Sequence, residues 1–182
     1  MVAIERRRFT VVEFNLMGTA GIFTEDDRVE LIDGEIVTMS PIGDPHVGCS
    51  IALTDILNQD TRTYAMVSVN NPLRLSAMSE TLPDFVLISR DAPPMVPTPA
   101  LTLLVIEISD ESLEYDRQVK LPLYAVADIR ETWIVDLVGE ILERHSDPLN
   151  GVYQRVARAH RGESLASTIV PEMVLSVDAV LG

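Results

Sequence analysis

The longest nearly unbroken apolar stretch, Leu101 to Ile108, is interrupted only by Thr102 and Glu107. A run of aliphatic and β-branched residues of this length predicts a strand buried on both faces. Side chains alternate along a strand, so Leu103, Val105, Glu107 and Ser109 share one face. The chain turns polar over Asp110 to Ser112 and then takes a helical pattern. Asp116, Lys120 and Tyr124 recur there at i, i+4 and i+8, on one helix face.

Before this centre, Thr10-Val11-Val12-Glu13 has capping-box spacing and predicts a helix ending near Gly18. Thr24 to Asp27 reads as an acidic loop. Val29 to Ile32 and Glu35 to Met39 flank Asp33-Gly34, a hairpin signal with both turn residues at positive φ. Asp44 as N-cap and Pro45 in the first turn predict a helix to about Thr61, with Val47, Ile51, Thr54, Ile56 and Leu57 on its apolar side. Short strands are expected at Met66 to Val69, Leu73 to Leu75 and Pro83 to Ile88, the last placing Asp84, Val86 and Ile88 on one face. Asp91 to Ala100 holds four prolines and reads as a surface loop.

After the central helix, strands are expected at Glu131 to Asp136 and Ile141 to Arg144, with Val152 to Ala157 extending the meander. Leu175 to Leu181 reads as a terminal helix. There is no internal repeat. This order predicts an α/β (α+β) domain, residues 1–182, with a mixed sheet flanked by helices and an N-terminal β-hairpin.

Composition narrows the function classes. At 182 residues, 47% hydrophobic and 23% charged, the chain can build a sizeable core. No apolar run approaches a membrane span, and Phe9 to Phe14 is too short for the apolar part of a signal peptide. The single Cys49 allows no internal disulfide, so a reducing cytoplasm is the expected compartment. The net charge of −14 argues against tight non-specific binding to phosphates. A divalent cation at an acidic site would offset part of that repulsion.

The candidate chemistry lies in the acids of the central strands. Glu107 inside a buried strand is costly unless it is paired or binds a cation. Lys120 is the chain's only lysine, every other basic residue being arginine. Pro83-Asp84, then Glu107, then Lys120 have the character of a metal-dependent phosphodiesterase. Hard divalent cations take carboxylate oxygens, a bound metal activates water, and a lysine orients that water or holds a phosphate oxygen.

The same residues carry a family resemblance. Arg28-Val29-Glu30-Leu31-Ile32-Asp33-Gly34-Glu35, Ser40-Pro41 with His46, Pro83-Asp84, Val105 to Ser109, Asp116 with Lys120 and Tyr124, and Glu131 to Asp136 occur in an order that resembles the PD-(D/E)XK nuclease superfamily. Within it, the chain resembles the bacterial restriction-endonuclease-like Uma-two family. The resemblance implies a restriction-endonuclease-like core, Mg²⁺- or Mn²⁺-dependent cleavage of DNA, and homodimers. It implies Asp84 and Glu107 as metal ligands, Lys120 as catalytic lysine, and Glu30 as a further ligand or water-orienting group. The superfamily's usual lysine lies two residues after the glutamate, where this chain has Ser109; in this family it has moved to the following helix. His46, Ser109, Asp116 and Tyr124 would border the site.

Several residues also have plainer readings. Glu35 is expected in solvent, Trp133 in the core, and His145 and His160 in solvent. Arg6 to Arg8 read as a solvated basic run, and Cys49 as part of a helix core face. Pro122 departs from the family pattern: in an α-helix it removes the hydrogen bond to the Gln118 carbonyl and clashes with that turn. With the acidic charge, it supports a rival reading, a catalytically silent nucleic-acid- or protein-binding scaffold with the same fold. A phosphoesterase acting on something other than duplex DNA is a third reading.

Overall fold

The computed structural model describes residues 6–24 and 26–182. Met1 to Glu5 and Glu25 of the expected acidic loop lie outside the described residues.

The chain opens with helix α1, Val11–Thr19, whose Thr10 hydroxyl and Glu13 carboxylate form the expected capping box. Strands β1, Val29–Ile32, and β2, Glu35–Thr38, form the hairpin, with Asp33 and Gly34 both at positive φ. Helix α2 spans Asp44–Thr61. Its N-cap is Gly43, with no side-chain cap bond, so Asp44 is the first helical residue and not the cap. Its inward residues are His46, Cys49, Leu53, Leu57 and Thr61, while Val47 and Ile51 face outward. Of the expected apolar side, Leu57 is buried and Ile56 packs against the core, whereas Val47 and Ile51 are exposed aliphatics.

Strands β3, Ala65–Val69, β4, Leu73–Arg74, β5, Glu80–Thr81, and β6, Phe85–Ser89, follow. A 3-10 turn, Pro99–Leu101, leads into β7, Thr102–Ser109. The central helix is composite: α3, Leu113–Tyr115, a π-helical turn, Asp116–Lys120, and α4, Leu121–Val126. Then come β8, Glu131–Asp136, β9, Ile141–Leu149, β10, Val152–Ala159, β11, Ser164–Ala166, β12, Val174–Ser176, and α5, Val177–Leu181. The β5 and β11–β12 pairings have no hydrophobic run of their own and arise from tertiary pairing, which short segments obey more than their intrinsic preference.

The main sheet has the order β10-β9-β8-β7-β6-β3, antiparallel except for the β7–β8 pair. That parallel pair requires a crossover, which the composite helix supplies. Alternation divides the sheet between two layers. Phe85, Leu87, Ile106 and Trp133 pack under α2 and α5 with Leu53, Leu57 and Val180. Val86, Val105 and Ile134 pack under α4 with Leu121, Tyr124 and Ala125. Both faces of β7 are covered, as its composition predicts. The hairpin belongs to a second sheet, β2-β1-β5-β4, where Leu31 packs on Val11 and Phe14 of α1.

His145 is not in solvent: it is buried on β9 with Nε2 3.1 Å from Glu143 Oε2. Glu143 also binds Arg117 and Arg158, and these partners hold its carboxyl well below the usual range against the opposing effect of burial. Alternation put His145 beside that buried acid, a placement its polar sequence neighbours conceal. His160 is exposed, as expected.

Candidate functional site

The site forms where the end of β7, the residue before β6, the hairpin and the composite helix meet. Phe85 pairs with Ile106 in the antiparallel β6–β7 register, so one step further sets Asp84 across from Glu107. Glu107 follows the alternation of Val105 and faces the composite helix, where it meets Lys120 and Tyr124. Asp84 Oδ2 accepts the Ile108 amide at 2.8 Å, and its Oδ1 lies 3.1 Å from His46 Nε2 in the first turn of α2.

Lys120 occupies the centre. Its buried ammonium lies 3.1 Å from Glu30 Oε1 and 3.2 Å from Glu107 Oε1, with Asp116 Oδ1 further off at 4.0 Å. Glu30 reaches it from β1, and the Leu82 amide fixes the same Glu30 oxygen at 2.8 Å. Tyr124 donates its hydroxyl to Glu107 Oε1 in a short contact, so it touches the acid directly rather than only packing beside the site. Ser109 and Ser112 each donate to Asp116 Oδ2 at 2.7 Å. Ser109, where the superfamily carries its lysine, thus holds the acid that faces Lys120. Glu35 stays outside and is exposed.

Pro122 does not turn Lys120 away. In the π-helical turn Leu121 donates its amide to the Asp116 carbonyl, a wider register than that of an α-helix. Widening relieves the clash between the proline ring and the Gln118 carbonyl, and Pro122 then sits in the first turn of α4, where no amide is needed.

The electrostatics follow from burial. Glu107 is pushed from an ordinary 4.5 up to about 8 by desolvation, opposed by Lys120 and reinforced by Asp116, Asp84 and Glu30. Burial works against the charge on Lys120, but Glu107, Glu30 and Asp116 outweigh it and raise its affinity for the proton. Burial also raises Asp116, with Lys120 opposing, and pushes Tyr124 up together with Glu107.

These residues border a cavity of about 550 Å³. Glu30 Oε2, His46 Nδ1 and the Tyr115 hydroxyl are buried in its wall without a hydrogen-bond partner among the described residues. Such orphaned polar atoms mark a place for water or a polar ligand. Among the described residues, no group of three or more His, Cys, Asp or Glu side chains is arranged to hold a metal unaided. Asp84 and Glu107 remain a two-carboxylate set, the number Mg²⁺ often takes from a protein while keeping several waters. Four acids, Glu30, Asp84, Glu107 and Asp116, stand against the single ammonium of Lys120, so the donor set suits a divalent cation.

Arg28, Tyr115, Asp110, Glu111 and Ser112 also line the cavity and were not singled out from the sequence. Arg28 was within reach, since it precedes Glu30 by two residues and shares its side of the hairpin. Tyr115 was not, because nothing in its sequence neighbours signals a cavity.

Residues 11–178 match the family described as "Uma2: Putative restriction endonuclease". Among solved structures, the fold is similar to that titled "Crystal structure of a putative nuclease belonging to DUF820 from Anabaena variabilis ATCC 29413". The two are 13% identical, with a TM-score of 0.74 over 95% of this chain and 97% of that one. At that identity the likeness shows a shared fold. No curated protein matches the sequence.

Proposed function

The chain belongs to the Uma2 restriction-endonuclease family, and from that premise we propose that it is a divalent-metal-dependent endonuclease hydrolysing DNA phosphodiester bonds. In this reading, residues 1–182 form one nuclease domain that works as a homodimer in the cytoplasm. The observation that carries the reading is the seating of Lys120 Nζ between Glu30 and Glu107, in a cavity that Asp84 also lines.

Asp84 and Glu107 would hold Mg²⁺ or Mn²⁺. When bound, the cation supplies an activated water and stabilises charge on the phosphate. The chain's own residues prepare that place. His46 and the Ile108 amide fix the two oxygens of Asp84. Tyr124 and Lys120 fix Oε1 of Glu107, and its other oxygen would serve the cation. Lys120, kept charged by its acidic neighbours, stabilises negative charge that grows on the phosphate. Glu30 and Asp116 position Lys120, and Glu30 Oε2, which has no partner among the described residues, would accept a hydrogen bond from the attacking water.

The test is a cleavage assay on mixed-sequence duplex DNA with Mg²⁺ or Mn²⁺, comparing wild type with Glu107→Ala. Metal-dependent cutting by wild type and none by the variant is expected. No cutting by wild type under any metal points to the silent scaffold. Cutting that survives Glu107→Ala moves the chemistry elsewhere.

A further inference from the structure

The proposed chemistry leaves open what grips the substrate strand. Each phosphate brings a negative charge into an acidic cavity, to which Asp110 and Glu111 add. Lys120 is buried between Glu30 and Glu107 at 3.1 and 3.2 Å and serves the reacting phosphate in the proposed chemistry, so a neighbouring phosphate of the strand needs another cation. Among the described residues, Arg28 is the only other cationic side chain lining the cavity.

Arg28 is held in place from two directions. Its carbonyl accepts the Met39 amide at 2.8 Å, continuing the hairpin ladder one pair beyond β1 and β2. Its Nη1 donates to the Ser40 carbonyl at 3.3 Å. It forms no ion pair with any described carboxylate, and its side chain is half-buried, not sealed off. A guanidinium anchored at one corner on a residue that lines the cavity keeps further N–H groups for the bidentate geometry of a phosphate.

We propose that Arg28 binds a phosphate of the substrate strand at the mouth of the cavity, beside the phosphate that reacts at Asp84, Glu107 and Lys120. Arg28 is then a substrate-binding residue, separate from the group that positions Lys120. The assignment rests on the nuclease reading of the same cavity.

Its test is the binding of fluorescent mixed-sequence duplexes, followed by anisotropy across a salt series. Ca²⁺ replaces Mg²⁺ so that binding is read without strand cleavage. Wild type, Arg28→Gln and Arg28→Lys are compared at equal thermal stability. Arg28→Gln is expected to weaken binding about tenfold, the scale of a hydrogen bond to a charged group. It should also reduce the slope of log affinity against log salt by about 0.9, the loss of one phosphate contact. Arg28→Lys should keep the slope and lose part of the affinity, because lysine retains the charge without the fork. Unchanged affinity and slope in Arg28→Gln overturn this inference and leave the nuclease reading standing. Weaker binding with an unchanged slope also overturns it, since that is the mark of a structural role. A wild type that neither binds nor cuts the duplexes overturns the nuclease reading and this inference together.

Discussion

At Glu107, burial and neighbouring acids favour the protonated carboxyl, while Lys120 favours the carboxylate. With the carboxyl raised from 4.5 to about 8, the metal-free folded chain holds more protons than the unfolded one between those values. Its contribution to stability therefore falls as pH rises through that window. A metal ligand must be ionised, so Mg²⁺ binding at neutral pH should release close to one proton and tighten as pH approaches 8. Calorimetry in two buffers of different ionisation enthalpy measures the release; heats independent of the buffer would remove Glu107 from the ligand set. At Lys120, replacement by alanine leaves buried acids without their cation. Lys120→Ala should slow cleavage roughly a hundredfold or more, the scale for one positioned electrostatic group. It should also cost about 3 kcal/mol in denaturant unfolding at neutral pH, since breaking a buried pair strands a charge. Unchanged cleavage in folded Lys120→Ala would remove the lysine from the chemistry. The meeting of Asp84 with Glu107 could be read from strand alternation, and Lys120 stood out because it has no other lysine beside it. The orphaned Tyr115 hydroxyl could not be read, since nothing in its neighbours signals a cavity.

At the scale of elements, two local backbone features hold the acids and the lysine in place. The first is the π-helical turn before Pro122. Pro122→Ala restores an amide and removes the clash that favours the wide turn, letting the segment return to an α register that rotates Lys120. Cleavage should fall about a hundredfold, the scale for an ångström-sized misplacement, while circular dichroism shows no loss of helix. Wild-type rates in Pro122→Ala would show that another contact sets the lysine. The second is the hairpin turn that carries Glu30. Gly34 has φ +81°, and a Cβ there would lie 2.7 Å from Arg8 Cβ and 3.0 Å from the Phe9 carbonyl oxygen. Gly34→Ala should destabilise the fold by roughly 1–3 kcal/mol, the usual cost of such strain, read as a lower denaturant midpoint. Asp33-Gly34 made this hairpin legible because its turn chemistry is local. The π-helical turn was hidden because Asp116, Lys120 and Tyr124 already fitted an α-helical face, and the inward face of α2 was legible only in part, through Ile56 and Leu57, because Val47 and Ile51 are aliphatic but exposed.

For the whole molecule, charge and fold pull in different directions. A net charge of −14 repels nucleic acid, while the family points to a nuclease. The site meets that conflict locally, with one buried lysine and one arginine at the wall of a cavity that Asp84 and Glu107 also line. The sheet order itself was only partly legible: the parallel β7–β8 pair follows from a strand-helix-strand pattern, whereas the separate β2-β1-β5-β4 sheet depends on a pairing of Leu31 with Glu80 far along the chain. The most direct test of the central claim is the position of Mn²⁺ in a crystal of the wild-type chain, located by its anomalous scattering. The predicted peak lies about 2.0–2.3 Å from a carboxylate oxygen of both Asp84 and Glu107, the range for hard cations on oxygen. A peak at Asp110 and Glu111 alone, or no peak at millimolar Mn²⁺, would contradict it.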